Sequence, residues 1–422
     1  MADLLALSSR VIDSGVVDEP VNRISNELSE VADGLAIVES FSHSVVLDAG
    51  EGLVAFDASH ARTGADVAAA IRGWTSTPVT HLVYTHGHAD HVGGSPAFAE
   101  AFGEMTVVGH ANVEARFDRY EYTNDWNVRI NARQFGGVRG DFGMGSTGEF
   151  IPAATLRPDH VVDEHDTIAV GDRAIELHHA RGETDDHLWG WEPDRKWAFV
   201  GDFVIWNFPN AGNPQKVQRF PIEWAAALRD MIAHGPELLL PAHGLPIEGR
   251  DRIAMVLGDI AGALERLVSE VVDMMNAGEV LDTIVHSVHV PDDLLAKPYL
   301  RPLYDEPEFV VRNIWRQFGG WWDGAPSRLK PAPDAALAAE LASLAGGVSA
   351  LIERASALSD AGEHRLACHL ADLAGWAAPQ DQGVHAARAV VYRARRSAET
   401  SLMAKGIFAG AARDSESVVG QD

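Results

Sequence analysis

Val79-Thr80-His81-Leu82-Val83-Tyr84 runs directly into Thr85-His86-Gly87-His88-Ala89-Asp90-His91-Val92-Gly93-Gly94. The first six residues read as a buried strand, so the side chains that follow gather at a strand end. His86, His88, Asp90 and His91 place three imidazoles and a carboxylate within six residues. These are borderline nitrogen and oxygen donors suited to Zn²⁺ or a similar divalent ion. Crowding four such groups at the edge of a core without a cation would be costly. Gly87, Gly93 and Gly94 permit the tight backbone that aims neighbouring side chains at two centres. A solvated His-rich loop is the plain alternative, and order, spacing and strand context all weigh against it.

Composition narrows the remaining classes. The 422 residues predict two or three domains with full cores. Lys and Arg number 34 against 61 Asp and Glu, a net charge of −27. A field of that sign repels phosphate backbones and anionic membrane surfaces. Nucleic acid is therefore not an expected partner, and an anionic substrate would need local positive charge. Cys368 is the single cysteine, which excludes an intrachain disulfide and a thiolate metal cluster. The start of the chain reads without a signal peptide, and no apolar run is long enough to span a membrane. A cytoplasmic protein without stable membrane insertion is expected.

Outward from the motif, residues 1–30 read as a lead-in and about 31–255 as a layered α/β domain. Short β-type runs at 35–38, 44–47 and 53–56 precede a helical pattern at 63–74 (Val67, Ala70, Ile71, Trp74). Further strands are expected at 104–108, 167–170, 174–179, 187–191, 196–200 and 237–240, with a helix over 221–234. From 256 to 411 the strand texture stops. Helices are expected over 260–275, 309–318, 336–358, 363–376 and 384–398, then a polar, fraying tail at 412–422.

His-x-His-x-Asp-His after a strand resembles the metallo-β-lactamase fold, an αββα sandwich with two metals between sheet ends. That resemblance implies three further ligands. Gly182-Glu183-Thr184, Phe199-Val200-Gly201-Asp202 and Pro241-Ala242-His243-Gly244 match its later motifs. It implies that His86, His88 and Glu183 hold one Zn²⁺ or similar ion and Asp90, His91 and His243 a second, with Asp202 bridging. Glu183 stands where the family usually has His, which is similar to the alkylsulfatase branch. Tyr304 and Gly320-Trp321-Trp322-Asp323-Gly324 resemble a segment of that branch's helical dimerisation domain. The implied architecture is an αββα sandwich followed by an all-α domain, and the implied assembly is a homodimer. The chain departs from that branch in carrying Asp202 where Glu is frequent and in showing no counterpart of its sterol-carrier-like third domain.

The resemblance implies a zinc-dependent sulfuric ester hydrolase, with metal-activated hydroxide cleaving small anionic alkyl sulfates. Asp90, Glu183 and Asp202 together with a hydroxide balance two divalent cations, a near-neutral shell suited to releasing a monoanion. A lactonase, thioesterase or phosphodiesterase on the same site is the first alternative, and an iron oxidoreductase of this fold the second. Asp90 and His187 are the expected catalytic residues, His187 as a candidate general acid or as a support behind the ligands, with an ordinary strand-end histidine as the plain alternative. Expected substrate contacts are Arg129, Asn131 and Arg133, four-residue spacing placing the two arginines on one helical face, with Asn213, Lys216, Arg219 and Tyr304. Asp57, ending the third β-run, is either the carboxylate that orients a ligand imidazole or an ordinary turn residue. His43, His60, His110 and His160 read as surface or core-edge residues, and at most one of His178 and His179 can face the site. Trp206, Trp321 and Trp322 are read as packing residues.

Overall fold

The computed structural model describes residues 3–135 and 148–420. The chain divides into two compact units, one of residues 1–125, 149–279 and 283–320, the other of 126–148, 280–282 and 321–422.

The first unit holds two sheets. In chain order the strands are β1 (Glu27–Ala32), β2 (Leu35–Glu39), β3 (Ser44–Asp48), β4 (Leu53–Phe56), β5 (Val79–Val83), β6 (Thr106–His110) and β7 (His160–Val162), then β8 (His165–Val170), β9 (Arg173–His179), β10 (Leu188–Glu192), β11 (Trp197–Gly201), β12 (Leu238–Pro241) and β13 (Ile247–Glu248). Strands β1 to β7 lie side by side in sequence order, and the second sheet runs β13-β12-β11-β10-β9-β8. In the first sheet β1 to β4 pair antiparallel and β4 to β7 parallel. In the second, β11 and β12 are the parallel pair.

Period-2 alternation builds the core between them. Leu35 and Ile37, Val45 and Leu47, and Val54 and Phe56 meet Ile168 and Val170, Ile175 and Leu177, and Leu238 and Leu240 in one buried cluster. Phe56 and Phe199 stack across it, ring centroids 4.1 Å apart. Each such buried side chain contributes about 1.5–3 kcal/mol. Helices cover the outer faces: Gly64–Trp74 and Ser95–Phe102 on the first sheet, Pro221–His234 and Arg250–Asn276 on the second. This is the expected αββα sandwich. Gly94 sets one approach, because a Cβ there would lie 2.0 Å from the Ala58 carbonyl oxygen.

Several expected boundaries move. The lead-in expected over 1–30 carries regular structure: Leu4–Ser14 is a helix, its first turn capped by Asp3 onto Ala6 N–H at 2.9 Å, and β1 begins at Glu27. A helical domain was expected from 256. Instead the helix Arg250–Asn276 buries Ile253, Val256, Leu257, Ile260, Leu264, Leu267 and Val271. That stripe packs on Pro221–His234 and the second sheet, so this helix stays with the sandwich, as does Pro307–Gly319.

The second unit is helical. Asp334–Ala345, Val348–Asp360, His364–Ala377 and Gln382–Ala398 share a core rich in alanine, including Ala342, Ala355, Ala367, Ala371 and Ala374. The single helix expected over 336–358 is broken at Gly346 and Gly347, whose φ values of 90° and 127° favour glycine. The polar tail expected from 412 is helical instead: Leu402–Val419 is one helix with Ala412 and Ser415 buried. Gly406 of that helix presses on the backbone of Gln134, where a Cβ would lie 1.9 Å from the carbonyl oxygen. Most of the helix Asn124–Phe135 therefore belongs to this unit, although its sequence lies inside the sandwich. Among the described residues, no single helix is long and apolar enough to cross a membrane.

Candidate metal centre

Four loops at the strand ends converge. The short helix Ala89–Val92 after β5 presents Asp90 and His91 one turn from His86 and His88. Glu183 follows β9, Asp202 follows β11, and His243 follows β12. His91 Nε2 and His243 Nε2 lie 3.4 and 3.5 Å from Asp202 Oδ1, while His86 Nε2 lies 3.9 Å from Asp202 Oδ2. Asp90 Oδ2 is 3.7 Å from His91 Nε2 and 3.6 Å from His243 Nε2. His86 Nε2 and His88 Nδ1 approach to 2.8 Å. One carboxylate thus faces two histidine groups, one oxygen to each. His86, His88 and Asp202 form one potential ligand group, and Asp90, His91 and His243 another.

The donor chemistry fits divalent cations. His91 Nε2 and Asp202 Oδ1 are buried with no hydrogen-bond partner, a costly arrangement that a cation between them would relieve. Burial, then neighbouring His91, holds His86 far below the ordinary imidazole range, so it is a neutral donor. Burial works against charge on His91 too, but Asp202, Asp57 and Asp90 outweigh it and hold that ring well above its ordinary value.

Glu183 is placed differently from the other ligands. Its Oε1 lies 3.5 Å from His88 Nδ1, but also 3.0 Å from Arg219 Nη1, and it accepts a hydrogen bond from Asn210 Nδ2. Arg219 also donates to the Glu183 backbone carbonyl. Burial raises the Glu183 pKa, with Arg219 opposing. Arg219 was expected at the substrate. Its Nη1 is instead committed to Glu183, so it positions a ligand, while its buried Nε has no hydrogen-bond partner.

Around these groups a second set of contacts fixes the geometry. Asp57 orients His91: its Oδ2 is 2.7 Å from His91 Nδ1, and the same carboxylate accepts Thr85 N–H at 2.8 Å and Thr85 Oγ1 at 2.7 Å. The imidazole-orienting reading of Asp57 is the one this geometry follows. His43 is not a surface residue. It is buried, accepts Ser40 N–H at Nδ1 and donates from Nε2 to the Gly244 carbonyl at 2.9 Å, which pins the His243 loop. Asp186, which the sequence reading passed over, accepts Gly87 N–H at 3.1 Å and Arg116 Nε at 2.7 Å. The acidic pair Asp185-Asp186 after Glu183 was the available signal, but its Arg partner lies 70 residues away.

His187 does not have the geometry of a general acid. It is fully buried and stacked on Phe203 at 4.1 Å, and its Nε2 accepts Asp202 N–H at 3.3 Å. Burial lowers its pKa to about 3, so it is neutral and holds the Asp202 backbone. Arg129, Asn131 and Arg133 fall in the second unit. Arg129 and Arg133 are exposed, Asn131 is buried, and Arg133 lies beside Gly410. They are not among the groups the first unit gathers. That unit does bring Lys216 and Tyr304 into the field of Asp90 and Glu183. Asn213 is buried on the same loop as Lys216, with Nδ2 unpaired. His179 stacks on His110 and His178 on Trp189, so neither joins this cluster. Trp206 packs against Gly244 and donates to the Leu245 carbonyl at 2.8 Å.

Comparison with known proteins agrees with this arrangement. Residues 37–243 match the metallo-beta-lactamase superfamily, and residues 280–417 match the family described as alkyl sulfatase dimerisation. The chain is 26% identical over 370 residues to a linear primary-alkylsulfatase of a Pseudomonas sp., covering 83% of this chain and 69% of that one. It is 24% identical over 339 residues to an (R)-specific secondary-alkylsulfatase of a Pseudomonas sp., covering 74% of this chain but only 50% of that relative. The solved sec-alkylsulfatase Pisa1 from Pseudomonas sp. superposes with a TM-score of 0.82 at 21% identity, over 92% of this chain and 66% of that structure. The chain thus matches the metallo-beta-lactamase superfamily over its sandwich and the alkyl sulfatase dimerisation family over its helical region, and is similar to alkylsulfatases across most of its length.

Proposed function

We propose that the chain is a binuclear sulfuric ester hydrolase that uses two Zn²⁺ or similar divalent ions to cleave alkyl sulfates. One observation carries this reading: Asp202 turns one oxygen to His91 and His243 and the other to His86, with Glu183 beside His88. When bound, the cations would lower the pKa of a shared water toward ~7 and polarise the ester oxygen. His86, His88 and Glu183 would hold one, and Asp90, His91 and His243 the other.

The protein's own groups then do the positioning. Asp90 would accept a hydrogen bond from the attacking water and aim its lone pair. Asp57 and Thr85 keep His91 from rotating. The Lys216 ammonium and Asn213 Nδ2 would meet the sulfate oxygens. Burial, then Glu183, keeps the Tyr304 hydroxyl protonated, so it would meet them as a donor. The near-neutral ligand set would release the sulfate product readily.

The substrate class is tested by incubating zinc-loaded protein with dodecyl sulfate, a nitrophenyl phosphodiester, a thioester and a homoserine lactone. Sulfate release, lost in His91→Ala, is the expected result. Turnover of the lactone, thioester or phosphodiester alone would overturn it. Oxygen-18 water labels sulfate if the S–O bond breaks and the alcohol if the C–O bond breaks. A homodimer through the helical unit is part of the proposal. Exposed Leu337, Leu344, Leu366 and Val390 support it, and light scattering at twice the chain mass is expected.

A further inference from the structure

A second set of metal-type donors lies in the first unit, away from the converging strand-end loops. Glu176 and His178 are two apart on β9, so both leave the sheet on the face opposite the buried Ile175 and Leu177. Trp191 and Trp189 are their partners across β10. His234 ends the helix Pro221–His234 that covers this face, and its ring stands edge-on to both tryptophans, 5.1 Å from Trp189 and 5.5 Å from Trp191.

We infer that Glu176, His178 and His234 form a third divalent-metal site, on the outer face of the second sheet. One donor atom from each lies within 4.8 Å of the others. His178 Nε2 and Glu176 Oε2 are 3.5 Å apart. A tetrahedral zinc with bonds of about 2.0–2.2 Å separates its donors by roughly 3.3–3.5 Å, so this pair already has the required span.

The rings are also set for coordination. His234 Nδ1 donates to the Asp230 carbonyl at 2.9 Å, which leaves the Nε2 lone pair for a ligand. His178 is stacked on Trp189, with centroids 4.5 Å apart and planes 16° from parallel, and its buried Nε2 has no hydrogen-bond partner. Burial, then His234, keeps His178 below its ordinary pKa and so neutral, as a ligand must be. Two imidazoles and a carboxylate suit Zn²⁺, with Ni²⁺ and Cu²⁺ as competitors, and three protein ligands leave one position open to water. All three side chains are partly exposed, which provides an entry path.

The position assigns a role. β9 leads into the Glu183 loop, and the residue just before the helix, Phe220, donates its N–H to the Gly182 carbonyl at 3.0 Å. A cation joining Glu176 and His178 to His234 clamps that strand to that helix, and so braces the segment carrying Glu183 and Arg219.

The full-length protein is stripped with a chelator, reloaded with zinc at micromolar concentration, freed of excess ion and analysed for metal per chain. The double variant His178→Asn/His234→Asn should hold one equivalent less than wild type while still hydrolysing its ester. His91→Ala, altered in the other cluster, should retain the equivalent held at 176, 178 and 234. Zinc should also raise the melting temperature of wild type more than that of the double variant. If the double variant fails to fold, His234→Gln, at the helix end, decides by the same count. Equal zinc content in wild type and variant, or an extra equivalent held only at millimolar zinc, overturns the site. The count does not depend on which ester is cleaved, so failure here is distinct from failure of the sulfatase reading.

Discussion

Replacing Asp57 with Asn removes a charge that touches no metal and tests how the ligand set is held. Asp57 has a φ of 62°, a conformation Asn tolerates, so the backbone can stay in place. The carboxylate accepts from three donors, His91 Nδ1 at 2.7 Å, Thr85 N–H at 2.8 Å and Thr85 Oγ1 at 2.7 Å. An amide keeps one acceptor oxygen and turns an NH₂ toward the others. At least one buried donor is then left unpaired, at a cost of about 1–3 kcal/mol. His91 also loses the partner that fixes its ring, and such changes weaken metal binding about 10–100-fold. Competition with a coloured chelator should show one of the two zinc ions proposed for the strand-end centre released that much more easily, with circular dichroism unchanged. If folded Asp57→Asn holds both ions as tightly as wild type, the claim that Asp57 orients His91 for coordination is wrong.

Glu183→Gln strands the buried Arg219 charge and should cost about 3–5 kcal/mol in denaturant unfolding; in the zinc-loaded protein it also adds one net positive charge, so inorganic sulfate should inhibit more tightly, and unchanged stability and inhibition would refute the pairing. Burial, then Arg219, lowers the Lys216 pKa to about 7. Its ammonium is therefore present below that pH and lost above it, so KM for an anionic ester should rise up to about tenfold as pH increases through 7 to 8, while Lys216→Met should show a flat profile. Phe56→Ala opens a cavity opposite Phe199 and should destabilise the sandwich by about 3–5 kcal/mol, read as a lower denaturant midpoint; a midpoint within error of wild type would contradict the packing described.

The recognisable site groups are those whose spacing is local. His86, His88, Asp90 and His91 occupy one turn at a strand end, and the residues around Glu183, Asp202 and His243 each carry a short motif of their own. The groups that hold them were harder to read. His43 looked like a scattered histidine until its ring met Gly244, 201 residues away. His187 looked like an acid because it follows Glu183, yet its side chain turns into the core and meets the Asp202 backbone. Arg219 looked like a substrate contact, but burial beside Glu183 makes an ion pair the cheaper arrangement.

Sequence alone determined the α/β sandwich, its alternating inward faces and the strand-end cluster of nitrogen and oxygen donors. Strand alternation and motif spacing depend on neighbouring residues, so they survive without knowledge of the fold. Tertiary packing decided that Arg250–Asn276 belongs to the sandwich and that most of Asn124–Phe135 belongs to the helical unit. It also decided which polar group each ligand leans on. An amphipathic stripe says that a face must be covered but not by what, and a buried charge takes whichever opposite charge the closed fold brings within reach.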